Sequence, residues 1–378
     1  MRVPEITADD LAQRLERGET LQVLDVRVPA NAAEGHIEVE RYLNVPIMRL
    51  FAVPEVEATG LARDAPVAVV CDRGVSSRTA VMHLRQQGFD AFSVAGGMLA
   101  WSVASVPRRL AEPGPLDLLI QFDRLAKGSL AYLLVRDRQA LLVDPGRDLS
   151  QYIAEIESLG VRLIGVAETH AHADYLSGAA AAADRWQIPH YLHPADAFSP
   201  FDGRQARLAT APLLPDRPIR LGDVDVFVES TPGHTEGSVT LRVGDALAFT
   251  GDFLFVESLG RPDLGNRSEE WTGVLWQSLE RARAHWPAEV LVLPAHYAGE
   301  SERNADRTIG AALGSLGSRN LPFSLRDAEE FRSWVSARVG GFPETYRTIK
   351  LANLGLLAPN QEEAAILEAG KNQCALAG

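Results

Sequence analysis

The chain has 378 residues, 46% of them hydrophobic and 23% charged, with a net charge of −13 and a sequence pI near 5.2. Such a length and balance suit a globular protein of two or three domains. The acidic charge without a basic stripe argues against nucleic-acid binding, and no apolar run approaches the roughly 18–20 residues of a membrane-crossing helix. The opening MRVPEITADDLAQRL lacks the basic and apolar regions of a secretory signal. Two cysteines, Cys71 and Cys374, make no disulfide framework. A reducing compartment, the cytoplasm, is therefore expected.

In chain order, apolar periodicity predicts a helix (Thr7–Arg17), a strand (Leu21–Val26), an irregular segment and a strand (Val67–Cys71). A helix (Ser77–Gln87), a short strand (Ala91–Val94) and a helix (Gly97–Ala104) follow. The runs LQVLDV and VAVVC suit buried parallel strands, so one small α/β domain is expected over residues 1–109. The proline-rich stretch VPRRLAEPGPLD breaks the pattern, and a linker is expected at 110–117. A second domain, 118–316, is predicted to hold strands at Leu118–Phe122, Ala131–Val135 and Ala140–Val143, then a helix near Leu149–Leu159 and a strand at Leu163–Ala167. Further strands are expected at Val224–Glu229, Ser238–Val243, Ala246–Phe249 and Val290–Leu293, with helices at Glu269–Ala284 and Asn304–Leu316. Residues 317–378 read as a helical extension packed on that domain, with Phe331, Trp334 and Val335 on one helix face.

Cys71 ends the strand VAVVC and opens the loop Cys71-Asp72-Arg73-Gly74-Val75-Ser76-Ser77, which runs into a helix. Backbone N–H groups of such a loop point inward, and the helix N-terminus adds positive potential. A thiol there becomes a nucleophilic thiolate, and the same cradle suits an anionic persulfide. Gly74 permits the tight curl, while Ser76 and Ser77 can donate hydrogen bonds. The plainer reading is a buried strand-end cysteine. A Cys-x5-Arg phosphatase fails on spacing, because the next arginine past the loop is Arg78 and position 77 is Ser.

The region resembles rhodanese-like sulfurtransferases through LDVR (Leu24–Arg27), EGHI (Glu34–Ile37), the loop CDRGVSS and VAGGMLAW (Val94–Trp101). The resemblance implies that Cys71 carries a sulfane sulfur and that Asp25 and Arg27 form an internal, structural ion pair. Many loops of that family carry Arg where this chain has Ser76, which leaves the preferred sulfur acceptor open.

Further on, a predicted strand leads into Thr169-His170-Ala171-His172-Ala173-Asp174-Tyr175. His234, Asp252 and His296 follow, each near the end of a strand-like run. A His-x-His-x-Asp loop joined by an isolated His, Asp and His suits zinc or iron. No function is assigned to His36, His83, His190, His193 or His285, which lie outside that pattern.

The pattern resembles the metallo-β-lactamase superfamily over about residues 118–316, so the fold class expected is α/β: a rhodanese-like domain plus an αββα sandwich. Dinuclear hydrolases of that superfamily carry His-x-His-x-Asp-His, whereas the last position here is Tyr175. The stretches ETHAHADYLSG (168–178), TPGHTEGSVTL (231–241) and TGDFLFVESLGRPDLG (250–265) are similar to the persulfide dioxygenases, a branch related to glyoxalase II that holds one iron. That resemblance implies Fe(II) on His170, His234 and Asp252, a two-histidine, one-carboxylate set with open positions. It also implies that His172, Asp174, Tyr175 and His296 orient the ligands. Arg261 is expected to hold a substrate carboxylate, with a structural pair to Asp263 as the alternative.

The implied reaction oxidises a low-molecular-weight persulfide, such as glutathione persulfide, with O2 to sulfite and free thiol. The Cys71 domain would exchange sulfane sulfur with thiosulfate, persulfide or sulfite, and a homodimer or larger assembly is expected. The rival reading is a two-zinc thioester hydrolase of the glyoxalase II type with an accessory rhodanese domain. Cys374 is expected to be an exposed tail thiol.

Overall fold

The computed structural model describes residues 3–265 and 267–376. They divide into two compact units: one runs to Val106 and the other starts at Pro107, with Arg124–Lys127 and Ala369–Lys371 grouped with the first. No helix among the described residues is long and apolar enough to cross a membrane.

The first unit is built on strands β1 (Glu5–Ile6), β2 (Gln22–Asp25), β3 (Tyr42–Asn44), β4 (Val67–Val70) and β5 (Ala91–Val94). They form one parallel sheet in the order β1-β5-β4-β2-β3. Every residue of β2, β4 and β5 is buried, because helices cover both sheet faces and leave no polar side to the strands. Helix α1 (Ala8–Glu16) starts where Thr7 accepts a hydrogen bond from Asp10 N at 3.0 Å. The segment expected to be irregular contains α2 (Pro29–Glu34), β3 and α3 (Ile47–Ala52). Elements of three to six residues are too short to show a period, so their sequence carries no signal. Helices α4 (Ser76–Gln86) and α5 (Gly97–Trp101) complete the unit.

The second unit begins earlier than expected. Residues Val106–Arg109 form strand β6 at the edge of a seven-stranded sheet, so 110–117, expected as a linker between the domains, instead joins β6 to β7 inside the second unit. That sheet continues with β7 (Leu118–Arg124), β8 (Ser129–Arg136), β9 (Gln139–Val143), β10 (Arg162–Ala167), β11 (His190–Leu192) and β12 (Ala211–Pro212), in the order β12-β11-β10-β9-β8-β7-β6. The six-stranded partner holds β13 (Ile219–Leu221), β14 (Val224–Ser230), β15 (Val239–Val243), β16 (Leu247–Gly251), β17 (Leu291–Pro294) and β18 (Ala311–Ala312), in sequence order.

Strand β8 shows why the sheets stack. Leu130, Tyr132 and Leu134 point into the core shared with the second sheet, where Val226, Leu241, Phe249 and Val292 meet them. Ala131, Leu133 and Val135 point the other way, toward Tyr152 and Ile156 of α6 (Ser150–Leu159) and Ala179 and Ala182 of α7 (Ala179–Trp186). A strand with period-two side chains thus serves two apolar layers at once. On the far side, α8 (Ser268–His285) buries Leu275 and Leu279 against the second sheet. The result is an αββα sandwich.

A helix expected over Asn304–Leu316 is not formed. Asp306 Oδ1 accepts from Thr308 N (3.1 Å) and Thr308 Oγ1 (2.6 Å), and Asn304 N donates to Thr308 O (2.9 Å). This turn chemistry competes with the helix. The chain then pairs as β18 and turns helical only at α9 (Leu313–Arg319). A short α10 (Leu321–Ser324) precedes α11 (Ala328–Ser336), whose Phe331, Trp334 and Val335 are buried in the sandwich core. Helices α12 (Glu344–Asn353) and α13 (Gln361–Leu367) close the unit.

Candidate functional site

In the first unit Cys71 lies at the C-terminal end of β4, facing the N-terminus of α4. Its Sγ is 3.3 Å from Ser77 Oγ, which is 2.9 Å from Ser93 Oγ. Burial opposes a charge on the thiol. Hydrogen bonds from the Ser76 and Ser77 hydroxyls and from the Ser77 and Arg73 backbone outweigh it and hold Cys71 below the ordinary thiol value. Two glycines let the backbone close around the thiol. Gly74 has φ +76° and Gly97 φ +59°, and a Cβ on Gly97 would lie 2.1 Å from Cys71 O. Met98 N donates to Cys71 O (2.8 Å) and Leu99 N to Asp72 O (3.1 Å), which fixes the loop entry. Val75 is exposed at the loop tip. Asp25 and Arg27 form a buried bidentate pair (2.7–3.0 Å), with Arg27 Nη1 3.8 Å from Asp72 Oδ1.

In the second unit the remaining candidates sit on loops that follow β10, β14, β16 and β17. The donor atoms of His170, His234 and Asp252 lie within 4.8 Å of one another, and all three residues are buried. Asp252 Oδ2 is 3.7 Å from His170 Nε2 and 3.4 Å from His234 Nε2. These separations are too long for hydrogen bonds, and both imidazole atoms and both Asp252 oxygens are buried without a hydrogen-bond partner. Four ligands at ~2.1 Å from an ion stand ~3.4 Å apart along a tetrahedral edge, so the spacing suits a metal better than direct contact.

The other ring nitrogens are held from behind. His234 Nδ1 is 2.9 Å from Arg261 O and His170 Nδ1 is 3.0 Å from Thr169 Oγ1. This backing directs each Nε2 inward. Burial holds His170 well below the usual imidazole range and His234 down to about 3, so both are neutral and able to bind a cation. Gly251, at φ +54°, brings the chain so close to this loop that a Cβ would lie 2.3 Å from Thr169 Oγ1.

His172 and Tyr175 stand behind the triad. Tyr175 Oη is 2.9 Å from His172 Nε2 and donates to Asp144 O at 3.2 Å. His172 Nε2 is also 3.2 Å from Asp144 Oδ1. His296 Nε2 lies 3.4 Å from Asp174 Oδ2 and 3.5 Å from Asp252 Oδ1. Burial disfavours its charge, but these two carboxylates outweigh that and raise His296 to about 9.

Two expectations are corrected. Arg261 is not free for substrate: it pairs bidentately with Asp263 (2.6 and 2.7 Å) and donates to Gly340 O (2.6 Å) and Gln373 O (3.2 Å). Cys374 is not an exposed tail thiol but is fully buried, with its Sγ in one cluster with Asp174 and His296. Arg261 N donates to Cys374 O (2.8 Å) and Leu376 N to Leu259 O (2.9 Å), so main-chain pairing holds the C-terminal segment in place.

Several supporting residues carried no sequence signal. Asp144, at φ +51°, accepts from Thr169 N (2.7 Å) and Thr169 Oγ1 (2.8 Å). A non-glycine residue in that region is strained, which recurs at functional sites. Asp196 accepts from Ala171 N (2.7 Å), Thr235 Oγ1 (2.8 Å) and Gly237 N (2.9 Å), joining the loops that carry His170 and His234. Asn353, at the end of α12, donates to His172 O (2.9 Å) and Tyr175 O (2.8 Å) and accepts from Ser177 N (2.9 Å). Lys350 is buried; desolvation pulls its ammonium down, against the attraction of Asp196, Cys374 and Asp252. His190, left unassigned, pairs with Glu168.

This fold and site define an αββα metal-binding scaffold joined to a thiol-bearing parallel α/β unit. Residues 125–307 match the model of the metallo-beta-lactamase superfamily, and residues 7–104 match the rhodanese-like domain. The mitochondrial persulfide dioxygenase ETHE1 of Homo sapiens is 31% identical over 52% of this chain and 77% of its own length. The hydroxyacylglutathione hydrolase of Acidiphilium cryptum is 32% identical over 64% of this chain and 91% of its own. A crystal structure described as a metallo-beta-lactamase from Staphylococcus aureus superposes with a TM-score of 0.57 at 27% identity, covering 64% of this chain and 73% of that one. The chain belongs to the metallo-beta-lactamase superfamily and carries a rhodanese-like domain ahead of it.

Proposed function

We propose that the chain is a persulfide dioxygenase with an attached sulfurtransferase unit. The observation that carries this reading is the two-histidine, one-carboxylate set His170, His234 and Asp252, beside a Tyr175 that is turned toward His172 and Asp144. Its resemblance to the human persulfide dioxygenase supports it. The overall reaction is R–S–SH + O2 + H2O → R–SH + sulfite + two protons. The terminal sulfur is oxidised and O2 takes up its electrons. Iron bound by His170, His234 and Asp252 would supply the redox chemistry linking sulfur to O2.

The chain's own residues do the rest. Thr169 and the Arg261 carbonyl hold the two imidazoles in the inward tautomer. The burial of the triad excludes bulk water, so a reactive sulfur species meets few competing partners. The Cys71 thiolate, held by Ser76 and Ser77, would take a sulfane sulfur from a donor and pass it to a thiol acceptor, forming the persulfide the metal site consumes. Thiosulfate, small persulfides and sulfite are the partners this chemistry suits.

The test is O2 consumption by anaerobically purified, Fe(II)-reconstituted protein supplied with glutathione persulfide. Uptake with sulfite release, kept in Cys71→Ser and lost in His170→Ala, is expected. No uptake at full iron occupancy with glutathione or coenzyme A persulfide, together with hydrolysis of a glutathione thioester by the zinc form, would replace this reading with the hydrolase one. Resemblance to the hydroxyacylglutathione hydrolase is what favours that second reading.

A further inference from the structure

We propose that Lys350 is the anion-binding group of the metal site, its buried ammonium taking the charged sulfur end of a persulfide and the sulfite formed from it. The inference deepens the dioxygenase reading and rests on it for the identity of the anion.

Lys350 lies on α12 and is only 2% exposed. Among the described residues no hydrogen bond or ion pair meets its ammonium. A buried charge without a partner is costly, and lysine is rarely found that way. Helix geometry fixes where the side chain points. Tyr346, Lys350 and Asn353 stand at i, i+4 and i+7 and share one face of α12. At one end of that face Tyr346 Oη accepts from Gln373 N (2.7 Å), beside Cys374. At the other end Asn353 donates to His172 O (2.9 Å) and Tyr175 O (2.8 Å). Lys350 therefore reaches in between the C-terminal segment and the loop that carries His170.

The charges around it agree with that position. Burial disfavours the ammonium, while Asp196, Cys374 and Asp252 attract it. Burial is also the main cause that keeps His170 and His234 neutral, and the Lys350 charge adds to it. The two carboxylates are committed elsewhere. Asp196 accepts from Ala171 N, Thr235 Oγ1 and Gly237 N. Asp252 turns its oxygens toward His170, His234 and His296.

Two neutral imidazoles and one carboxylate neutralise half the charge of a divalent ion, and the ammonium adds a positive charge beside them. An anion entering this space is favoured by both charges, whereas a neutral thioester gains little from the ammonium. The terminal sulfur of an ionised persulfide and sulfite are both anions. Either would give the ammonium the partner that the protein withholds, as a charge-assisted contact. Lysine suits two ligands of different shape, because its ammonium is a compact point charge with three rotatable donors.

The experiment is an anaerobic calorimetric titration of sulfite into the full Fe(II)-loaded chain carrying Cys71→Ser, which keeps sulfite away from sulfane sulfur. Sulfite should bind, and Lys350→Met should weaken it by about tenfold or more, the worth of a hydrogen bond to a charged group. Because the ammonium has no partner until an anion arrives, Lys350→Met should keep or raise the thermal transition of the sulfite-free protein. It should also keep or strengthen iron binding, read by chelator competition, since a positive charge is removed. A lysine that serves only as structural counter-charge would give the opposite on both counts. Lys350→Gln takes its place if Lys350→Met does not fold. Absent sulfite binding, sulfite affinity that ignores Lys350, or lost stability or folding in both variants would each overturn the proposal. Lys350-dependent sulfite binding in a protein without O2 uptake on glutathione persulfide would remove the dioxygenase reading and leave the anion site. O2 uptake with Lys350-independent sulfite binding would do the reverse.

Discussion

Asn353→Ala should weaken metal binding without touching a ligand. The side chain ties the end of α12 to the loop carrying His170 and His172 through three hydrogen bonds of 2.8–2.9 Å. Each is worth about 1 kcal/mol net. The residue is only half-buried, so water recovers part of the loss. The expected cost is about 2–3 kcal/mol, or roughly 5–10 °C in the transition of a unit of this size. Removing groups that position ligands typically lowers metal affinity ~10–100-fold. Scanning calorimetry of the metal-free protein gives the first quantity, and competition with a chromogenic chelator gives the second. Asn353→Asp separates hydrogen bonding from packing. It keeps the acceptor for Ser177 N but turns a carboxylate toward the carbonyls of His172 and Tyr175. If packing alone matters, Asp is milder than Ala; if the clamp matters, Asp is at least as harmful. Unchanged affinity in both variants would refute the reasoning.

Cys71 should react with iodoacetamide at a pH below that of an ordinary thiol, and Ser77→Ala should move the profile upward, as read by mass spectrometry of the peptide. Because its folded value is depressed, the stability it contributes is present above the unfolded value and lost as pH falls through the folded one. Gly97→Ala would force a Cβ to 2.1 Å from Cys71 O at φ +59°, so sulfur loading of Cys71 should collapse, with at least ~1–2 kcal/mol lost from the left-handed backbone alone. Metal binding by the second unit should not change; normal sulfur transfer in this variant would contradict the loop geometry. Arg261→Met removes one partner of a buried bidentate pair and two carbonyl contacts, leaving the Asp263 carboxylate uncompensated, so a loss of about 3–5 kcal/mol and faster proteolysis of the C-terminal segment are expected. A raised KM with unchanged stability would instead restore a substrate role for Arg261.

Much of the architecture was legible from local patterns. VAVVC and the runs LAYLLV of β8 and ALLV of β9 are buried on both faces, so an apolar run marks each strand, while LQVLDV and β7 also bury Gln22, Asp25, Gln121 and Asp123 within the run. The loop after Cys71 and the His-x-His-x-Asp loop are contiguous, and contiguous residues share a turn whatever surrounds them. The short elements between Pro29 and Ala52 were hidden because they span less than two turns or pleats of a period. At Asn304–Leu316 side-chain hydrogen bonds of Asp306 and Asn304 overrode an apparently helical stretch.

What the sequence determined by itself was the chemistry on offer: a thiol before a helix, and imidazoles and carboxylates after strands. Tertiary structure alone decided which of these meet. Asp144, Asp196 and Asn353 reach the metal loops from other strands and helices, and Cys374 arrives from the far end of the chain. It also decided that Arg261 is spent on Asp263 and the C-terminal segment. The physical reason is that a side chain's role depends on its partners within a few ångströms. For residues far apart in the chain, those partners are chosen by sheet stacking and by burial, which no local pattern encodes.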